Sequence, residues 1–309
     1  MPDRFLKKSP VLLAAGSSEG KVEIWQIDGT KETAIAGHEA SVLAVTFSPK
    51  GDTIASGSAD GEVKLWRRNG RSSFYSNWKT FKGHEAEVFD LAFSPDGHLL
   101  ASASGDGTFK VWQVDSGISI KTFKGFKAGV FGVSFMPEGE AIASALGDGT
   151  IKLWYRDGIC LRTLQGHKDI VYSVRFSPDG NKLVSASRDG TVKLWIRNSA
   201  WGRGGTVRTL KGHRNAAIDA CFSPDGRRIA SASADGTAKL WTLDGTCLRT
   251  FEGHRDVVYS VSFGPDGKLL ASASEDKTIK LWSRKGRELK TFQGSKGLFY
   301  SISFSFDVF

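Results

Sequence analysis

The stretch "SASRDGTVKLW", Ser185 to Trp195, recurs in near-copies that end at Trp66, Trp112, Trp154, Trp241 and Trp282. A weaker copy, "SSEGKVEIW", ends at Trp25. The seven tryptophans lie 41, 46, 42, 41, 46 and 41 residues apart. A second landmark, Gly-His, falls at His38, His84, His167, His213 and His254, with Phe126 and Ser295 in the His place of the other two copies. From the His position to the next repeat Trp is 28 residues, so all length variation falls after the Trp. A rigid unit with one elastic loop therefore repeats around the chain. This period overrides the two-domain organisation that 309 residues would otherwise suggest and predicts a single domain over 1–309.

The inside of one unit sets the fold class. "EVFDLAF" from Glu87 alternates and ends at "SPDG", a turn signal. "HLLASAS" is a second strand closed by "GDG", "TFKVWQV" a third and "SIKTFKG" a fourth. Four short strands with Gly, Asp or Pro at each joint predict antiparallel four-stranded sheets. Such a sheet has two apolar faces and buries both only when the sheets pack radially. One Phe per unit (Phe47, Phe93, Phe135, Phe176, Phe222, Phe263, Phe304) then lies between neighbours. The chain opens with strands two to four of a unit and closes with a first strand, "LFYSISF", Leu298 to Phe304. The expectation is an all-β, seven-bladed β-propeller whose seventh blade is shared by 11–36 and 298–304, which leaves no sheet edge open.

Composition narrows the rest. Apolar residues make up 40 % of the chain, enough for a core. The cysteines Cys160, Cys221 and Cys247 are odd in number and form no CxxC pair, which argues against a disulfide framework or a zinc site. Lys7 and Lys8 precede "VLLAAG", but that apolar run is too short for a secretory signal, and none approaches a membrane span. The expected location is the cytoplasm, with no membrane contact. The net charge of +9 includes Lys64, Lys110, Lys152, Lys193, Lys239 and Lys280 at one repeated strand position, a charged rim and not a single patch.

On Gly-His, "SPDG", "SASxDGTxKLW" and the even spacing of seven repeat tryptophans, the chain resembles the WD-repeat β-propellers over nearly its whole length. "WTLDGTCLRTFEGH" is similar to the regular repeats of bacterial, particularly cyanobacterial, members, although the residue after the repeat Trp is never Asp. The resemblance implies a structural tetrad. The turn Asp accepts from the Gly-His imidazole, and that ring engages a strand Ser that reaches the Trp indole. Here the sets are His38, Asp60, Trp66; His84, Asp106, Trp112; His167, Asp189, Trp195 (through Ser185 or Ser187); His213, Asp235, Trp241; and His254, Asp276, Trp282. Ser, His and Asp also compose an acyl-transfer triad. Recurrence in five blades opposes that reading, because catalysis needs one site, so no catalytic residue, metal or cofactor is expected.

The resemblance also implies that partners dock on the face carrying the Asp turn and Gly-His loop, the top. Carried over position by position, the channel mouth is Leu43, Phe89, Phe131, Tyr172, Ile218, Tyr259 and Tyr300, with Arg188 and Glu275 the charged residues before the turn Asp. An aromatic centre with few charges has the composition of an interface core; the competing reading is that these rings plug the channel. The expected partner is a protein or peptide, bound by a monomer or by one domain of a larger signalling protein. The alternatives are a propeller enzyme, disfavoured, and nucleic-acid or polyanion binding on the bottom. There the two long loops bring Trp78 and Trp201 near Arg residues. No nucleic-acid module accompanies them.

Overall fold

The structure, a computed structural model, describes residues 11–68, 75–124, 126, 128–198, 201, 205–294 and 296–305. Most of each long loop after Trp66 and Trp195, and Ser295, lie outside these residues.

The described residues form seven four-stranded antiparallel sheets, each ordered first to fourth strand from the axis outward. Blades 1 to 6 begin at Val42, Val88, Val130, Val171, Ala217 and Val258. Burial grades with distance from the axis. The second strand of blade 1, Thr53–Ser58, is buried at every position. It sits between two neighbouring sheets, and its Ala, Ser and Gly residues allow their close approach. The outermost strands, such as Cys160–Leu164, alternate toward solvent and bury only their last residue.

The core consists of seven clusters, one between each pair of neighbouring blades. Leu13, Ala15 and Trp25 of blade 7, for example, pack with Ala271, Ile279 and Phe292 of blade 6. The seven phenylalanines expected between blades each lie in or against such a cluster. Closure follows the expectation. Phe299–Phe304 pairs antiparallel with Leu12–Ser17, Leu13 opposite Phe304, and the Leu12 N–H donates to Ser305 Oγ at 2.8 Å. Among the described residues no helix is long and apolar enough to cross a membrane.

Candidate functional site

Each innermost strand carries a β-bulge at the same place. Val42 pairs with Ser58 and Ala44 with Gly57, so Leu43 is the extra residue between them. The same two-for-one count sets aside Phe89, Phe131, Tyr172, Ile218, Tyr259 and Tyr300. A bulge frees one residue from the ladder and re-aims its side chain. Here all seven freed side chains are half-buried and line one cavity of about 470 Å³ at the channel mouth. Phe89 stacks on Phe131 (centroids 5.0 Å), Phe131 meets Tyr172 edge-on (5.7 Å), and Tyr259 lies 5.1 Å from Tyr300. The rings form two arcs along the wall, with Leu43 and Ile218 between them, and leave the chamber open instead of filling it.

The rim joins the two expected classes of contact residue. In every blade the residue before the turn acidic residue donates its N–H to the carbonyl two positions before the bulge residue. Arg188 donates to Ile170, Glu275 to Val257, Gly105 to Glu87 and Ser18 to Leu298, at 2.9–3.0 Å. Glu275 accepts from the Tyr259 hydroxyl at 2.9 Å. Burial and then the Glu275 carboxylate push that phenol upward. Arg188 is exposed, lies 3.8 Å from Asp169, and lines with Lys211 and Arg214 a separate cleft of about 440 Å³.

The chamber floor was not singled out from sequence. Asp90, Arg175 and Asp219 line both this cavity and a second one of about 490 Å³ below it. Arg175 of blade 4 reaches past blade 3 to grip Asp90 of blade 2 with both terminal nitrogens, at 2.7 and 2.9 Å. Gly132 lets blades 3 and 4 come close, since a Cβ there would stand 3.1 Å from the Tyr172 carbonyl oxygen. Burial pushes the Asp90 carboxyl up, against the pull of the guanidinium. Its oxygens also accept the Leu91 and Val133 N–H groups, so four donors surround them, and the ionised pair is the state this geometry requires. Asp219 accepts from Ser173, Ser260 and the Val261 N–H at 2.8–3.1 Å. The sequence signal was present: charged residues at inward strand positions in "FDLAF", "YSVRF" and "IDACF".

The five tetrads have one geometry. The His Nδ1 lies 2.8–2.9 Å from the Asp, Nε2 lies 2.7–2.8 Å from a strand Ser Oγ, and the indole N–H donates to that Oγ at 2.7–2.9 Å. In blade 4 the Ser is Ser185; Ser187 instead receives the Asp189 N–H. An indole can only donate. The Ser therefore accepts from it and gives its own proton to Nε2, which leaves the imidazole neutral with its proton on Nδ1, toward the Asp. The bridging Ser56, Ser102, Ser185, Ser231 and Ser272 are 0 % exposed, so no acyl substrate reaches them. His38, Asp60 and Glu62 lie close enough to hold a metal ion. They are already engaged with one another, Ser56, Lys64 and Lys82. Blade 3 replaces His by Phe126, which packs edge-on against Trp154 (5.6 Å) while the indole still donates to Ser144. Ala15 stands at the bridging Ser position of blade 7.

The bottom tryptophans differ from the expectation. Trp201 is 5 % exposed, packs on Phe176 and donates to the Gly180 carbonyl, so it offers no face for a base to stack on. Trp78 is half-buried and already covered by the Arg67 guanidinium at 3.5 Å from its ring centroid. Trp78, within the strand Tyr75–Phe81, packs against the cluster between blades 1 and 2, and Trp201 against that between blades 3 and 4, because an apolar ring gains more by packing than by standing in water.

The family model described as "WD domain, G-beta repeat" matches residues 29–67, 76–113, 117–155, 158–195, 204–242 and 245–283. The chain belongs to the WD-repeat family. No curated protein matches it. Each WD match starts within two residues of the start of the outermost strand of one blade and ends in the third strand of the next, as 29–67 does. The seventh blade is built from both ends of the chain, the last strand pairing with the first.

Proposed function

We propose that this WD-repeat propeller is a non-catalytic interaction scaffold that binds a protein or peptide partner through the top chamber. The observation that supports this most is the set of seven bulges, which turns one large apolar side chain per blade, five of them aromatic, into a single open cavity. A fold needs a filled core, but it does not need seven apolar side chains around an open mouth. Such a surface gains free energy when a partner covers it. Tyr172, Tyr259 and Tyr300 are the anchors, and Arg188 and Glu275 set charge preference at the rim. Cytoplasmic location, and either a monomeric state or a place as one domain of a larger signalling protein, belong to the same reading.

The test is partner capture from the native host with purified variants. Truncating a buried aromatic anchor costs about 2 kcal/mol or more of affinity, whereas a rim charge acts mainly on the on-rate. Tyr259→Ala therefore weakens capture at least roughly tenfold with the fold intact. Arg188→Glu weakens an acidic partner and spares a neutral one. Loss of partners only in a Trp78→Ala variant would move the interaction to the bottom face.

A further inference from the structure

The charge at the centre of this molecule opposes the charge of the whole. The chain carries a formal net charge of +9, yet the floor of the top chamber holds two carboxylates, Asp90 and Asp219, against one guanidinium, Arg175. Both Arg175 terminal nitrogens are spent on Asp90. The hydrogen bonds that Asp219 accepts come from neutral donors: two hydroxyls and one backbone N–H. The rim continues the pattern. Glu275 stands at the Tyr259 hydroxyl, and Glu87 crowds the same glycine, Gly105, as the Phe89 ring. The basic side chains Arg188, Lys211 and Arg214 line the separate cleft between blades 4 and 5 and not the chamber.

Resting on the top-face reading above, we propose that the chamber takes one cationic side chain, a lysine or arginine, presented by a protein partner. Two features converge on that chemistry. Aromatic faces attract an ammonium or guanidinium through their quadrupoles, more strongly where water is excluded. A carboxylate floor in a low-dielectric cavity stabilises the same charge from below. An anion meets a floor whose net charge is negative, two carboxylates against one guanidinium, and a purely apolar group leaves that excess negative charge desolvated and unmatched. The volume of about 470 Å³ is in the range of small-ligand sites and admits a whole long side chain. The aliphatic stem then lies against Leu43 and Ile218 while the charged head reaches Asp219.

The experiment uses the full chain and acetylated, amidated pentapeptides Gly-Gly-Xaa-Gly-Gly, with arginine, lysine, norleucine, citrulline or glutamate at Xaa. Side-chain proton shifts of the peptide are followed by NMR, because a side chain among these rings moves upfield. The expected result is binding of the arginine or lysine peptide at least tenfold tighter than norleucine or citrulline, with no binding of glutamate. Asp219→Asn abolishes the cationic preference and leaves weak norleucine binding unchanged. Phe131→Leu, which keeps the cavity apolar, also lowers the preference and serves if the first variant fails to fold. Equal binding of norleucine or citrulline, tighter glutamate binding, or no upfield shift with any peptide overturns the proposal. If that happens while Tyr259→Ala still loses its host partner, the top-face reading stands and only the cationic assignment falls.

Discussion

Asp189 shows how much one side chain can hold in this fold. It accepts from His167 Nδ1, the Lys168 N–H, and the N–H and hydroxyl of Thr191. Asp189→Ala strands those donors, and each unmet buried group costs about 1–3 kcal/mol, water reaching some of them. We expect a loss of about 2–3 kcal/mol in urea unfolding. The same change at Glu19, whose carboxylate pairs with a partly exposed Lys21, costs clearly less. Equal losses would show that the network does not hold these turns. The tetrads also set the acid response. Burial pushes His38, His84, His167 and His254 below the ordinary imidazole value. As pH falls, the unfolded chain takes these protons first, so this stability is complete above about pH 6.5 and declines below it. Burial raises the Asp189 carboxyl, but its hydrogen bonds from Thr191, Lys168 and His167 outweigh that and hold it at about 2. Its contribution is complete above about pH 4 and is lost as pH falls toward 2. A melting temperature that rises on acidification from pH 7 to 5 would contradict this sign.

At the scale of the strand, the fold depends most on its last one. Phe299–Phe304 is the innermost strand of blade 7. It pairs with Leu12–Ser17 and buries Phe299, Ile302 and Phe304. A chain ending at Gly294 loses the lining of one seventh of the channel and exposes the apolar faces of blades 6 and 7. We expect a large fall in melting temperature and association of the opened chain, seen by light scattering. Melting like that of the full chain would mean that closure does not hold the ring. The bulges belong to this scale too. Alternation in "EVFDLAF" reads as an unbroken strand, and only the pairing partner reveals that Phe89 is counted out of it.

Across the whole molecule, the Asp90–Arg175 pair ties blade 2 to blade 4, 85 residues apart in sequence. Burial opposes the Arg175 charge, but the Asp90 carboxylate overrides it and holds the guanidinium above its ordinary value. Removing one partner of a buried pair costs about 3–5 kcal/mol, because the other charge stays behind without a counter-ion. Arg175→Met therefore costs about 3 kcal/mol, the lower end because its side chain is 32 % exposed to the channel. Asp90→Leu combined with Arg175→Met recovers most of the loss. Additive losses in the double variant would show that the two residues are not one energetic unit.

Blade number, strand order, ring closure and the His, Asp and Trp members of the tetrads were legible in the sequence. Each is a local pattern repeated seven or five times, and repetition separates signal from noise. The mouth residues were reachable by position because every blade places them alike. What marked them out physically was not legible. A β-bulge is a statement about two strands, and a single strand does not carry its register. Ser185 could not be told from Ser187 for the same reason: only the pairing of Leu183 with Trp195 and of Ser185 with Lys193 puts one hydroxyl beside the indole. The channel floor was hidden more deeply. Asp90, Arg175 and Asp219 occur in different blades, break the repeat and have no neighbour in sequence that explains them. Closing seven sheets into a ring brings those three charges to one axis, and so the centre of a basic protein becomes acidic.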